Sequence, residues 1–404
     1  MSSSYLISGC RTPIGKFLGS FANVPATDLG GAVIREAISR SGIEAHEVEQ
    51  VIMGQVIQAG VGQAPARQAA IAGGLPASVG AVTVNKVCGS GLYSVMLADM
   101  AIRAGEYRYV IAGGMENMSL APHLLRNGRS GWKFGDQCIS DAIDVDGLRC
   151  ANLGVAMGCI GEWQAMQASV SRHDQDAWAV QSHARAVAAQ DQSLFDDELV
   201  PIRVPSPRGE AIIHADETPR RDCTLEAIAK LKPAFWSRLV TTESNDYEAS
   251  VTPGNASSLS DGAAAVMVVG ESQYRDLPSC DWAYRILGHC TYAQEHLHLF
   301  TAPVGAIRKL FVKTGLGPSD VDLYEINEAF AAQTITCLRE LELPADKVNI
   351  HGGAIALGHP LGCSGTRILV SLLSQLRQRG LRRGIACLCL GGGEAVAMMV
   401  ERIA

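Results

Sequence analysis

Val87-Cys88-Gly89-Ser90-Gly91-Leu92 has a counterpart near the other end of the chain, and the match between them decides the fold. Gly89-Ser-Gly91, an apolar stretch and Val110-Ile-Ala-Gly-Gly-Met-Glu116 correspond to Cys363-Ser-Gly365, a second apolar stretch and Cys387-Leu-Cys-Leu-Gly-Gly-Gly-Glu394. The correspondence extends upstream. Gly31-Ala-Val-Ile-Arg-Glu through Ser41-Gly42-Ile43, then Val48 and Val51-Ile-Met53-Gly54, matches Gly305-Ala-Ile-Arg-Lys through Thr314-Gly315-Leu316, then Val321 and Tyr324-Glu-Ile-Asn327. A second half that repeats the first implies two related units facing each other. Strands alternating with helices in each unit predict an α/β protein of two pseudo-symmetric halves, with mostly parallel, helix-covered mixed sheets.

Around the opening stretch, Ala81-Val-Thr-Val84 reads as a strand and Asn85-Lys86 as a turn. Leu92 to Ile102 is apolar on nearly every side, which predicts a helix in the middle of a domain, ended by Gly105 and followed by the strand Val110-Ile-Ala112. Upstream, Tyr5 to Ile7 predicts a short strand and Arg11 to Gly15 a turn. Thr27-Asp28 predicts the N-cap of a helix whose Leu29, Val33, Ile34, Ala37 and Ile38 recur at helical spacing until Gly42. Gln55 to Gly74, rich in Ala, Gly and Gln, predicts a loop and helix lying close against a neighbour.

Cys88 falls at a helix entry, where free backbone N–H groups converge and favour a thiolate, and the flanking glycines keep the approach open. A small core cysteine would look the same on this stretch alone. His351-Gly-Gly-Ala-Ile-Ala-Leu-Gly-His359-Pro-Leu-Gly-Cys-Ser-Gly365 and Cys387-Leu-Cys389-Leu-Gly-Gly-Gly393 are glycine-rich loops at element ends. His359 by itself is equally compatible with a structural histidine. Gly391 to Gly393 lacks the Lys and Ser/Thr of a phosphate loop, and Cys387-x-Cys389 has no second pair at zinc spacing, so no metal is expected.

With 404 residues, 47% apolar, 19% charged and 42 glycines, the chain can bury a large interior in two or three domains and is not disordered. A net charge of −7 without a basic run argues against nucleic acid or an anionic membrane as partner. Twelve dispersed cysteines, no secretory leader and no membrane-length apolar stretch predict thiols in a cytoplasmic protein. Roughly Asn117 to Asn245 differs in character, holding Trp132, Trp163, Trp178 and Trp236 among polar loops, and reads as an inserted lid. Its segment 201–238 has seven Lys or Arg against five Asp or Glu, compatible with an anionic ligand or with an ordinary solvated surface. The expected division is 1–116 plus 246–270 as the first half, 117–245 as the inserted loop domain, and 271–404 as the second half.

Several stretches in order carry a resemblance along almost the whole chain: Arg11-Thr-Pro-Ile-Gly-Lys-Phe17, Asn85-Lys-Val-Cys-Gly-Ser-Gly91, Gly113-Gly-Met-Glu-Asn-Met-Ser119, Gly254-Asn-Ala-Ser-Ser-Leu-Ser-Asp-Gly-Ala-Ala264, Asn327-Glu-Ala-Phe-Ala-Ala332 and the two glycine loops. Together they resemble the thiolase family. The resemblance implies the thiolase fold and acetyl-CoA C-acetyltransferase activity, the reversible condensation of two acetyl-CoA into acetoacetyl-CoA and CoA. It assigns Cys88 as the nucleophile that becomes acylated, His359 as its base and Cys389 as the acid/base that takes the α-proton of the second substrate. Asn327 would orient a water that forms one oxyanion site with His359, and the N–H groups of Cys88 and Gly391 would form the other. For coenzyme A it implies Arg220 at the nucleotide end, Phe235, Leu259, Ala329 and Phe330 along the pantetheine, and Ser257 on its amide, with Met157 lining the acyl pocket. No cofactor is implied beyond the CoA thioester substrates, and a homodimer or homotetramer is expected, with Gln55 to Gly74 as a candidate contact.

The chemistry needs such a set: a thiolate both accepts and surrenders an acyl group, a second base must reach the α-carbon, and each developing oxyanion needs fixed donors. The alternatives are a thiolase for longer 3-ketoacyl-CoA chains and a non-catalytic CoA- or lipid-binding scaffold. A β-ketoacyl synthase resembles a Cys-His-His pattern, against which Cys389 argues. Departures from the common pattern are Ala156-Met-Gly158-Cys-Ile-Gly-Glu162, which lacks a pocket histidine, His351 in place of Asn, Pro253 in place of Ala, and about ten extra residues between Phe235 and Ser257. These bear on acyl-chain preference and coenzyme contacts.

Overall fold

The structure, a computed structural model, describes residues 3–206, 209–235, 247–277 and 282–403. Its main strands are β1 (Ser4–Arg11), β2 (Gln50–Gly54), β3 (Gly80–Val84), β4 (Tyr109–Asn117), β5 (Ser260–Gly270), β6 (Tyr284–Ala293), β7 (Leu323–Ile326), β8 (Arg383–Leu390) and β9 (Glu394–Arg402). The helices that matter here are α1 (Ala26–Ser41), α2 (Pro65–Ala72), α3 (Ser90–Ala104), α4 (Met157–Gln167), α5 (Arg172–Asp191), α6 (Ala302–Thr314), α7 (Ala331–Leu341) and α8 (Leu361–Gln378).

Side chains alternate faces along a strand, so each central strand feeds two cores. On β5, Ala263, Ala265, Met267 and Val269 pack with α1 and α2, whereas Val266 and Val268 face α3 and α8. On β9, Val396, Met398 and Val400 join that same central core, and Ala395, Ala397 and Met399 pack outward with α6 and α7. The result is a layered molecule with α3 and α8 buried between two half-sheets. This is the environment expected of Leu92 to Ile102; in the second half of α3 only Met100 and the last residue, Ala104, are exposed.

Strand order is β7-β8-β9-β6-β1-β5-β4-β2-β3, so β2, β4, β5 and β1 of the first half mirror β7, β8, β9 and β6 of the second. The repeat reaches the irregularities: register slips between Leu6 and Ser8 where β1 meets β5, and between Ile286 and Gly288 where β6 meets β9. Both α1 and α6 stop at a left-handed glycine, Gly42 at φ 69 and Gly315 at φ 71, a conformation that lacks a Cβ penalty there. The two-unit α/β reading therefore holds. Its "mostly parallel" part needs correction, since along this order only β2–β3, β2–β4 and β7–β8 are parallel. Strand direction is set by where β1, β5, β6 and β9 return to the sheet, which short apolar runs do not encode.

Two local readings also change. The first strand runs from Ser4 to Arg11, beyond Tyr5–Ile7, and α1 begins at Ala26 after an N-cap Pro25, with no side-chain cap from Thr27 or Asp28. Proline's fixed φ sets the entry, so a side-chain cap is dispensable. Gln55 to Gly74 does form a loop and helix held closely against α1: a Cβ on Gly31 would lie 2.8 Å from the Ala72 side chain.

After β4 the chain leaves the sheet and returns at β5. The excursion is fastened to β1 by Arg11, whose fully buried guanidinium holds Asp216 in a bidentate pair at 2.6 and 3.0 Å and Glu198 at 2.7 Å. Trp236 and the extra residues before Ser257, as well as the 245/246 boundary, lie largely outside the described residues. Among the described residues no helix is long and apolar enough to cross a membrane, and all eleven cysteines are free thiols.

Candidate active site

The site starts from a strained turn. Val87 has φ 47, a left-handed conformation that β-branched side chains resist, and the turn is held by Asn85 Oδ1 accepting its N–H at 3.0 Å and by Ser90 Oγ donating to its carbonyl at 2.6 Å. This kink sets Cys88, half-buried, just ahead of α3. The turn is interlocked with the β8–β9 hairpin: a Cβ on Gly89 would meet Leu390 at 2.5 Å, and one on Gly391 would meet Val87 at 3.2 Å. Backbone N–H groups of Gly391 and of Cys88 itself point at the Cys88 sulfur.

The second arm is the first turn of α8. It touches α3 and β4 backbone to backbone, because Gly91, Gly114, Gly362 and Gly365 leave no side chain between them. Glu116, fully buried on β4, ties the arms together by accepting N–H groups of Val56 (3.1 Å), Ile57 (3.2 Å) and, from α8, Gly362 (2.8 Å). Burial pushes its carboxyl up to about 7.

His359 precedes α8 by two residues, its N–H donating to Ser258 O at 3.1 Å. Its Nδ1 lies 2.6 Å from Ser364 Oγ, which is itself 2.8 Å from the Pro360 carbonyl. A hydroxyl has one hydrogen, and that carbonyl can only accept it. Nδ1–H therefore donates to Ser364, leaving Nε2 bare as the proton acceptor. Nε2 is buried without a hydrogen-bond partner in the protein, as are both Oδ1 and Nδ2 of Asn327 at the end of β7. Buried polar atoms are normally paired, so these mark where a substrate or water supplies the partner. Glu328 holds the Asn327 turn by accepting from Trp178 Nε1 (3.0 Å), Ser182 Oγ (2.7 Å), Asn349 Nδ2 (3.0 Å) and Ile355 N (3.2 Å).

The expected thiolate at Cys88 is corrected. Burial raises its thiol to about 12; the N–H groups of Gly391 and Cys88 pull the other way, and nearby Glu116 adds to the rise. Two donors do not offset the loss of solvent. Burial also holds Cys389 well above its ordinary value, with Cys88 near enough to add to the effect. His359 is pushed down to about 3, first by burial and then by Arg367. The resting site thus has two protonated thiols and a neutral imidazole.

Of the expected coenzyme residues, Met157, Phe235, Ala329 and Phe330 share one apolar cluster with Cys389, Leu299 and Phe300. The Phe330 ring stands edge-on to Phe300 at 5.2 Å and to Phe235 at 6.1 Å. Leu259 packs with Cys88 in an adjoining cluster around Ile57, Met118 and Leu361. Ser257 donates its N–H to Ala329 O at 3.0 Å. Arg220 is exposed and outside both clusters, its N–H bonded to His183 Nδ1 at 3.1 Å.

Two residues in or beside the departing stretches have clear structural roles. Glu162 is buried and accepts the N–H groups of Ser250 and Val251 and the Tyr247 hydroxyl, fixing the chain that leads to Ser257. His351 is buried edge-on against Phe195 at 5.9 Å, and burial with Arg379 nearby pushes it down to about 4. Between its ordinary value of 6.5 and about 4, the unfolded chain takes up a proton that the folded chain refuses, so this group's contribution to stability falls as pH falls through that window. His351→Asn is expected to narrow the difference in urea-unfolding free energy between pH 7 and about pH 4.5 by roughly 2 kcal/mol. An unchanged difference would show that His351 protonates freely in the fold.

Glu116, Glu328 and Ser364 were inside quoted motifs, yet no sequence signal distinguished them from surface polar residues. The family profile described as "Thiolase, N-terminal domain" matches residues 4–272, and "Thiolase, C-terminal domain" matches 281–402. The chain belongs to the thiolase family. This thiolase is 44% identical over 403 residues to an acetyl-CoA acetyltransferase of Cupriavidus necator, covering 100% of each chain, and equally to one of Pseudomonas aeruginosa. A protein of Staphylococcus aureus described as a probable acetyl-CoA acyltransferase is also 44% identical over 403 residues, again covering 100% of each chain. The crystal structure of the Bacillus anthracis acetyl-CoA acetyltransferase superposes with a TM-score of 0.94 at 38% identity, covering 100% of this chain and 99% of that one. As a thiolase, the protein is an acyltransferase working on acyl-CoA thioesters.

Proposed function

We propose that this thiolase is an acetyl-CoA C-acetyltransferase that works through an acetyl-Cys88 intermediate. The observation that carries the reading is the set of buried, unpaired atoms on His359 and Asn327, in a site that also holds two protonated thiols. Protonation states then dictate the proton balance. Nε2 of His359 takes the Cys88 proton as sulfur attacks the acetyl-CoA carbonyl, and the oxyanion sits on the N–H groups of Cys88 and Gly391. The departing CoA thiolate receives the Cys389 proton. Cys389, now a thiolate, removes the α-proton of a second acetyl-CoA, whose enolate oxygen is stabilised by His359 and a water oriented by Asn327. The carbanion attacks acetyl-Cys88, and His359 returns the first proton to the released Cys88 sulfur. Both residues end as they began, and two acetyl-CoA have become acetoacetyl-CoA and CoA.

The apolar cluster of Met157, Phe235, Ala329 and Phe330 supports a pantetheine path ending at Cys389, with Leu259 and Ser257 beside it and residues 117–245 as the CoA-binding insertion between the halves. Ala156, in place of a pocket histidine, favours a second reading: thiolysis of longer 3-ketoacyl-CoA chains. A kcat/KM series over chain length, run in both thiolysis and condensation, separates the two. Acetoacetyl-CoA is expected to be cleaved best, with measurable condensation of acetyl-CoA; a steady rise of kcat/KM with chain length would favour the second reading. The open edge strand β3 with exposed Val82, next to exposed Ile71 on α2, supports a homodimer through this face and a homotetramer of such dimers. Free thiols support a reducing compartment, the cytoplasm.

A further inference from the structure

An ion pair between Lys86 and Glu394 plays no part in the steps above, yet it joins the two loops that meet at Cys88. Lys86 is built into the nucleophile turn: its N–H donates to Ser90 Oγ at 2.8 Å and its carbonyl accepts the Gly89 N–H at 3.1 Å. Glu394 opens β9 immediately after the Gly391–Gly393 turn, paired across the hairpin with Leu390 and across the sheet with Ala293. The Lys86 ammonium also lies 5.2 Å from the centre of the Tyr93 ring on α3, so it is held from a second side.

The side chains are 19% and 31% exposed, so solvent screens the pair and its contribution to overall stability is small. Its geometric effect is larger. Gly391, Gly392 and Gly393 have no side chains to fix them, and the last two are left-handed at φ 94 and 83. A turn of this kind has to be tied down by its neighbours if one of its N–H groups is to serve as a fixed donor. Gln294 N–H on Gly393 O at 2.9 Å ties one side, and Glu394 on Lys86 ties the side facing Cys88.

We propose that Lys86 and Glu394 are a positioning pair that holds the Gly391 N–H on the Cys88 sulfur and keeps the acyl-cysteine oxyanion site assembled. The role in acyl transfer rests on the reading of Cys88 as the acylated nucleophile. Deleting an oxyanion donor commonly costs about 100-fold or more, and loosening one costs less, on the order of tenfold.

The experiment uses Lys86→Met, Glu394→Gln, the conservative Lys86→Arg, and the exchange Lys86→Glu with Glu394→Lys. Steady-state kinetics with acetyl-CoA are read alongside the rate of Cys88 alkylation by iodoacetamide, which involves neither CoA nor an acyl group. Both charge-removing variants are expected to lose kcat by roughly tenfold with KM within about twofold, and to alkylate several-fold more slowly. Lys86→Arg and the exchanged pair should recover most of the loss. Folded single variants with unchanged kcat and alkylation would overturn the proposal, and so would a raised KM at unchanged kcat. If Cys88 of the unmodified protein forms no acyl-enzyme while the alkylation pattern still holds, the acyl-transfer reading fails and the pairing of the loops stands.

Discussion

Replacing Cys88 by alanine is expected to lower kcat for acetyl transfer by roughly 10⁴-fold or more while leaving the fold intact. The two effects separate because the strained turn does not depend on the sulfur. Asn85, Ser90 and the Lys86 carbonyl hold Val87 and Gly89 in place, whereas the Cys88 thiol faces the N–H of Gly391. Removing one sulfur from a half-buried position costs about 1 kcal/mol or less in packing. Cys389 cannot substitute, because it is buried more deeply and burial holds its thiol well above the ordinary range. Steady-state condensation assays and a urea-unfolding curve measure both quantities. A folded variant retaining a tenth of the activity would place the nucleophile elsewhere.

Gly114→Ala is expected to damage both fold and activity. A Cβ there would lie 1.9 Å from Gly362 O and 3.1 Å from Cys363 Cα, and both are backbone atoms that no side-chain rotation relieves. Either β4 or the first turn of α8 must shift by on the order of 1 Å, and α8 carries the His359 arm. Glu116, two residues along the same strand, would be drawn away from Gly362 N, which it bonds at 2.8 Å. A displacement of that size commonly costs about 100-fold in rate, and overpacking of a close backbone contact costs about 1–3 kcal/mol or more. The control is Gly317→Ala, where the nearest atom to a new Cβ is Asp320 Oδ2 at 3.9 Å and φ is −127. It should behave as the parent chain in both kcat and urea midpoint; equal losses in both variants would mean that the β4–α8 contact has no special role.

The repeat made the two-unit fold legible because its signals are local: glycine stops at Gly42 and Gly315, small-residue helix entries, and apolar strands after each helix. Strand direction was not legible, since β1 finds β5 across more than two hundred positions and only that return decides it. The entry to α1 was misread because Thr27-Asp28 looks like a cap while Pro25 does the work through its fixed φ. At the site, Cys88, His359, Asn327 and Cys389 could be named from motifs, but their protonation could not. A helix entry suggests an ionised thiol, and the opposing burial comes from residues distant in sequence. The same distance hid Glu116, whose partner Gly362 is 246 positions away, and Arg11, whose partner Asp216 is 205 away. Arg220 was placed by resemblance alone, and it stands apart from the apolar path that joins the other coenzyme residues.

The most direct measurement is to mix the protein with acetyl-CoA, quench in acid, digest it and locate the acetyl group by mass spectrometry. Acetylation of Cys88 in close to one equivalent, lost in Cys88→Ala and reversed by added CoA, is the predicted result. A folded protein that forms no acetyl adduct, or one that carries it on Cys389, would contradict the assignment of Cys88 as the nucleophile.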